Sequence, residues 1–201
     1  MSSNVSGIDT IPSDYKEYII DTNNPIESTS YQWGRGFTIA TCRDKSKWVI
    51  YDCSPKEMFC GYLYLKKSLE NSGLEKMQVA EQKMTLHKGK VLLLSRYCGD
   101  NPPNDYDMNV GEIPRLRDKT GFMNLGTVDR VANLRKRNGV FYVTDTDIDN
   151  FEWSRRDAIK AYIPTYEGVR SFLEQKALER SKRKVHFEEP PQKRRKIELQ
   201  S

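Results

Sequence analysis

Three aspartates at alternate positions, Asp145, Asp147 and Asp149, form the acidic cluster that most resembles a metal site. Carboxylates at such spacing hold Ca²⁺ in EF-hand loops. That pattern requires Gly at its sixth position and Glu at its twelfth, where this chain has Asn150 and Arg156. We therefore expect a strand end followed by a helix cap. A small metal-dependent enzyme of nucleic-acid metabolism that uses these three carboxylates is the alternative.

The thiols and imidazoles give no catalytic or zinc pattern. The four cysteines, Cys42, Cys53, Cys60 and Cys98, contain no CxxC pair, and His87 is the only histidine before the C-terminal tail. A structural zinc site needs four ligands in clustered pairs. A cysteine nucleophile with His87 as its base is possible but has no supporting motif. We expect reduced thiols, no cofactor, no bound metal and no enzymatic activity.

Basic residues of the body concentrate between positions 115 and 137, near a predicted Asn138-Gly139 hairpin turn. A protruding basic hairpin can follow the phosphates of a nucleic acid, although basic residues are also ordinary at solvated loop tips. Trp153 lies nearby in sequence, and exposed aromatics beside basic residues can stack on bases. The predicted nucleic-acid-binding residues are Arg115, Arg117, Lys119, Arg130, Arg135, Lys136, Arg137 and Trp153.

The C-terminal tail carries two short basic runs, and Pro190-Pro191 keeps the segment between them extended. Such runs are typical of nuclear localisation signals read by an import receptor, although they also occur in tails that bind nucleic acid or only improve solubility. The predicted signal residues are Lys182, Arg183, Lys184, Lys193, Arg194, Arg195 and Lys196. We therefore expect a nuclear protein.

The net charge of the chain is +5, and most of it lies in the tail. Residues 181–201 contain seven Lys or Arg and three Glu, which leaves 26 basic and 25 acidic residues in 1–180. A nearly neutral body excludes a surface covered in phosphate-binding charge but allows a local basic patch.

Two apolar segments are candidates for binding a partner protein. Tyr18, Ile19 and Ile20 follow a polar N-terminal stretch, and Phe172 and Leu173 lie on the apolar stripe of a predicted final helix. Both segments could instead pack on the body of the protein.

The periodicity of apolar residues predicts an α+β fold with a mostly antiparallel sheet built from hairpins and two or three helices. Ser54-Pro55 starts a predicted helix, for which a strand at 59–65 is the alternative. Strands are predicted at 37–42, 47–52, 76–86, 90–98, 125–134 and 140–144, and later helices at 151–162 and from Thr165. A small OB-like barrel is the alternative fold.

The expected organisation is a flexible arm at 1–30, one α+β domain at 31–180 with a long loop at 99–118, and a disordered basic tail at 181–201. No apolar run is long enough to span a membrane. We expect a non-enzymatic adaptor or subunit of a nucleic-acid-associated nuclear assembly, with the import receptor, other subunits and DNA or RNA as partners. A direct single-strand or duplex nucleic-acid binder is the alternative.

Overall fold

The computed structural model describes residues 11–21, 23–33, 37–51, 53–109, 111–123 and 133–188. Within these ranges the chain forms one five-stranded and one three-stranded sheet with five α-helices, which is an α+β fold of the expected class. The larger sheet is antiparallel throughout. There are more helices than the two or three that periodicity predicts.

The five-stranded sheet has the order β1-β2-β3-β6-β5. Its strands are β1 (Ile26–Gln32), β2 (Phe37–Cys42), β3 (Lys47–Tyr51), β5 (Gln82–His87) and β6 (Lys90–Arg96), and β4 (Met77–Val79) belongs to the second sheet. The β2–β3 hairpin confirms the two strands that the alternation of β-favouring residues predicts. A tight turn joins β5 to β6 through Lys88 and Gly89, which have φ of 49° and 78°, as a type I′ turn requires.

The three-stranded sheet has the order β4-β8-β7, with β7 at Leu134–Arg137 and β8 at Val140–Val143. Asn138 and Gly139 form its turn with φ of 51° and 77°, which confirms the Asn-Gly prediction. The strand predicted at 125–134 falls largely outside the described residues. The single strand predicted at 76–86 is wrong, because the chain leaves β4 at Ala80, whose N–H donates to Val143, and enters the other sheet as β5.

Helix α1 (Pro55–Glu70) confirms the predicted helix start and excludes the alternative strand at 59–65. Ser54 and Glu57 have the spacing of a capping box but do not form one. Ser54 has a φ of 46° and makes no side-chain cap bond, so only its carbonyl accepts the first helical N–H, from Met58. The helix lies directly against the chain that follows β8. Gly61 allows this close approach, since a Cβ at its position would overlap the carbonyl oxygen of Thr146.

The long loop predicted at 99–118 is wrong over most of its length, since α2 (Asp105–Asn109) and α3 (Ile113–Thr120) occupy it. Pro114 stands at the start of α3, where a missing N–H costs nothing, and Gly121 ends the helix with a φ of 75°. Ile113 and Leu116 are fully buried, so packing against the core stabilises a helix whose sequence reads as a loop.

The C-terminal part contains α4 (Arg156–Lys160) and α5 (Ile163–Glu188). The 3-10 turn Trp153–Arg155 occupies part of the first half of the helix predicted at 151–162, and another 3-10 turn, Ile148–Asn150, precedes it. Residues 181–188, predicted to be disordered, continue α5 as helix. At the other end, β1 begins at Ile26, inside the predicted flexible arm.

The five-stranded sheet separates two apolar clusters. The larger one joins the sheet to α1, α3, α5 and the second sheet, with Phe59, Leu93 and Val169 among its buried members. The smaller one, on the opposite face, consists of Ile20, Ala40, Cys42, Trp48 and Leu94. In the described ranges the sheet does not close on itself, so the OB-like alternative is not observed. No helix in the described ranges combines the length and apolarity needed to cross a membrane.

Candidate nucleic-acid interface

Three chain segments meet at one end of the five-stranded sheet and enclose a groove of about 530 Å³. They are the β2–β3 turn (45–47), the chain that leaves β6 (96–101) and the β7–β8 turn (136–138). We call this site the basic groove. It spans both sheets, so its walls are fixed by the packing of the whole domain.

Main-chain hydrogen bonds hold the three walls of the basic groove together. The N–H of Tyr97 donates to the carbonyl of Lys47 at 3.0 Å, which joins the β6 end to the β2–β3 turn. The N–H of Lys136 donates to the carbonyl of Asn101 at 2.8 Å, which joins the same segment to the β7–β8 hairpin. The side chains therefore project from backbone positions that the fold determines.

The lining of the basic groove is strongly cationic. Five Lys or Arg side chains contribute to it, and no Asp or Glu occurs among the described residues that line it. These cations are Lys45, Lys47, Arg96, Lys136 and Arg137. A concave surface of one sign of charge concentrates anions from solution, and the effect is strongest at low salt.

Lys45 and Lys136 are already paired with carboxylates at the rim. Lys45 lies 3.0 Å from Glu27, and both side chains are exposed. Lys136 contacts both oxygens of Asp107, at 2.7 and 2.8 Å. Partial burial alone raises the pKa of Asp107, but the bond from Lys136 and the N–H of Asn104 together hold that pKa below its usual value.

The other three cations are not neutralised in this way. No carboxylate of the described chain lies within ion-pair distance of Lys47, Arg96 or Arg137. They are the groups that an incoming anion would meet. Arg side chains in particular match the paired oxygens of a phosphate.

Arg96 is positioned by an aromatic ring. Its guanidinium carbon lies 5.1 Å from the ring centre of Trp48, a cation–π arrangement. The indole N–H of Trp48 donates to the Ser46 hydroxyl at 2.9 Å. Hydrogen bonds from Ser46 to Asp44 lower the pKa of that carboxyl, so it stays ionised and fixes the turn. The β2–β3 turn and Arg96 therefore form one connected unit.

Cys98 also lines the basic groove, but its thiol is not activated. Burial raises its pKa to about 11, and the nearby Arg137, Arg96 and Arg135 only partly oppose this. The sulfur donates to the carbonyl of Arg96 at 3.3 Å. Since the thiolate is the reactive form, this arrangement does not favour a nucleophilic role.

The basic residues predicted between 115 and 137 do not form one surface. Lys136 and Arg137 line the basic groove, whereas Arg115, Arg117 and Lys119 are exposed on α3 and do not line it. Arg117 lies 3.4 Å from Glu152. Arg135 bonds the carbonyl of its neighbour Leu134 and is not part of the lining. Arg130 falls outside the described residues.

Trp153 is 79% exposed, so it is available for stacking. Its ring already carries the guanidinium of Arg156 at 4.4 Å. It does not line the basic groove. Tyr106, 71% exposed, precedes Asp107 on α2 and does not line the basic groove either.

The aspartates predicted as an alternative metal site serve local structure. Asp145 accepts the N–H of Asp147, and Asp147 accepts the N–H of Asp149. Asp149 forms an ion pair with Arg156 at 2.7 Å. In the described chain no three His, Cys, Asp or Glu side chains are grouped as a metal ion requires.

The segments predicted to bind a partner lie against the body of the protein. Ile19 and Ile20 are buried, and Ile19 bridges to Met84 of β5. Leu173 is buried in the larger core cluster, with Tyr18 and Phe172 packed around it. This arrangement favours the intramolecular alternative for both segments.

Of the two basic runs of the predicted nuclear localisation signal, the described residues include only the first. Lys182, Arg183 and Lys184 lie in the last turns of α5. Lys193, Arg194, Arg195 and Lys196 fall outside the described residues.

Sequence reasoning missed Lys45, Lys47 and Arg96. Lys45 lies in the β2–β3 turn, Lys47 at the start of β3 and Arg96 at the end of β6, far along the chain from the hairpin that completes the groove. The signal available was weak: a basic turn between two predicted strands and one Arg at the end of another.

Comparisons of the chain with models of protein families, with curated proteins and with solved structures found no match.

Proposed function

We propose that this chain is a non-enzymatic nuclear protein that binds the phosphate backbone of a nucleic acid in the basic groove and acts as a subunit of a nucleic-acid-associated assembly. The observation that carries the proposal is the convergence of five cations in a groove whose described lining contains no Asp or Glu. Three of the five have no carboxylate partner in the described chain.

A chain of phosphates fits this groove better than a single small anion. The cations come from three segments spread around a volume of about 530 Å³, not from one point. Backbone contacts of this kind supply affinity with little base specificity. Tyr97 is the one aromatic residue among the described residues that line the groove, so we expect phosphate contacts to dominate over stacking.

The basic C-terminal segment supports the nuclear part of the proposal. A compact Lys-Arg-Arg-Lys run at 193–196 has the composition that import receptors bind. It adds a second cationic element that can contact nucleic acid after import.

Fluorescence anisotropy of the full chain tests the groove directly. The probes are labelled single-stranded DNA, duplex DNA and RNA at low and at physiological salt. Because Lys47→Glu with Arg137→Glu reverses two uncompensated charges, we expect affinity to fall at least about tenfold at low salt.

The matched control is Lys90→Glu with Lys160→Glu, which has the same net charge. Lys90 lies at the end of β6 opposite Arg96, about 20 Å from the groove by strand rise. We expect the control to lose only the small affinity that follows from net charge. Equal losses in both variants would contradict a local site.

A further inference from the structure

We propose that the outer edge of β1 is a dimerisation strand that pairs antiparallel with β1 of a second copy of this chain. The proposal does not depend on the basic groove. It rests on an open edge, the direction of the backbone groups there and the residues that the strand presents.

β1 is seven residues long and is an edge strand among the described strands, where it pairs only with β2. Within the described ranges no main-chain hydrogen bond joins its outer side to another element. An exposed edge of this length is a template for another strand.

The hydrogen-bond pattern shows which residues face outward. The N–H of Arg43 donates to the carbonyl of Pro25, so alternate residues back along β2 direct their main-chain groups to β1. These residues are Thr41, Ile39 and Phe37, and their register partners on β1 are Ser28, Ser30 and Gln32.

The residues between these partners have the opposite orientation. Thr29 and Tyr31 therefore direct their N–H and carbonyl groups away from the sheet. A β-strand of another molecule could bind these groups without breaking a bond of the existing sheet.

Apart from a register shift between Ile26 and Ser28 at its start, β1 has few of the features that usually protect an edge strand. It contains no Lys, Arg or Pro. Its one charge, Glu27, lies near its start and is paired with Lys45. Residues 28–33 are uncharged, and Tyr31 and Trp33 form an edge-to-face pair at 5.0 Å with 49% and 89% of their surfaces exposed.

A second copy fits this edge better than a charged peptide. In an antiparallel pairing centred on Ser30, Thr29 of each copy lies opposite Tyr31 of the other, a favourable cross-strand pair that occurs twice. Glu27 then lies opposite Trp33, so no like charges face each other. The body outside the tail is nearly neutral, which limits repulsion between copies.

Analytical ultracentrifugation of the full chain over a range of micromolar concentrations tests the proposal. We expect a species of twice the 23.4 kDa chain mass. Thr29→Pro removes an outward N–H without cutting a β1–β2 bond and should give a monomer. Thr29→Val keeps the N–H and should still dimerise.

Trp33→Ser is the second variant, because it leaves the strand backbone intact. We expect it to weaken dimerisation about tenfold, and it decides the question if circular dichroism shows that Thr29→Pro is unfolded. A wild-type chain that stays monomeric, including one whose edge binds only a foreign strand, overturns the proposal. So does a folded Thr29→Pro variant that dimerises like wild type.

Discussion

The basic groove and the C-terminal basic segment concentrate the same charge in two different ways. The groove collects Lys47, Arg96 and Arg137 from three segments that main-chain hydrogen bonds hold together. The run at 193–196 places four cations side by side in the chain. The groove presents charge in a fixed geometry that depends on folding, whereas the run is recognisable without any fold.

This difference predicts separate roles. A short linear run suits a receptor that reads extended chain, and a folded groove suits a backbone of regularly spaced phosphates. Charge changes in one region should therefore leave the function of the other largely unchanged.

The largest expected effect is on localisation. We expect replacement of Lys193, Arg194, Arg195 and Lys196 by Ala to abolish import, because the receptor loses its cationic contacts. A fusion to a reporter too large to diffuse through nuclear pores should then show a nuclear-to-cytoplasmic ratio of about one by microscopy. The groove variant Lys47→Glu with Arg137→Glu should remain nuclear. Loss of import in the groove variant would contradict the prediction that the groove and the C-terminal run have separate roles.

A small effect is expected from Asp107→Asn, which keeps the cap oxygen near Asn104 and removes the charge that neutralises Lys136. Nucleic-acid affinity should rise two- to threefold at low salt, since one more cation of the groove becomes available. Affinity that falls would show that Asp107 orients Lys136 productively instead of competing with phosphate.

The same substitution has a pH signature. Because the pKa of folded Asp107 lies below the reference value of 3.8, its pair stabilises the fold above about pH 4 and this contribution disappears as pH falls through the folded value. We expect Asp107→Asn to lower the free energy of unfolding by about 0.5 to 1 kcal/mol at pH 7, since the pair is partly exposed. Urea titrations at pH 7 and pH 3 should show the difference shrinking at the lower pH.

Local sequence signals predicted those parts of the fold that local chemistry determines. Asn138-Gly139 gave the β7–β8 turn, because few other residue pairs adopt two positive φ angles cheaply. The β2–β3 hairpin and the start of α1 also followed from pattern and a helix-start proline.

Tertiary packing decided the rest. The helix at 113–120 arises in a Pro- and Asp-rich stretch because Ile113 and Leu116 fill the core, and Met108 of the helix at 105–109 packs against the same cluster. The chain breaks at Ala80 because the residues before it pair in one sheet and those after it pair in the other. No local sequence pattern predicts these helices or this break.

The residues of the basic groove likewise include some that local patterns predict and some that only tertiary packing brings together. Lys136 and Arg137 were found because they adjoin a recognisable turn, whereas Lys47 and Arg96 become neighbours only when β3 and β6 pair. A groove assembled across sheets is invisible to a search for basic runs.

The most direct test of the account is nucleic-acid binding by the full-length chain with residues 193–196 replaced by Ala. Because the groove has three uncompensated cations, we expect this variant still to bind duplex DNA, with a slope of log affinity against log salt of about −2.7. We expect the further substitutions Lys47→Glu and Arg137→Glu to abolish this binding. If the tail substitutions alone abolish binding, the tail accounts for it and the basic groove is not a nucleic-acid site.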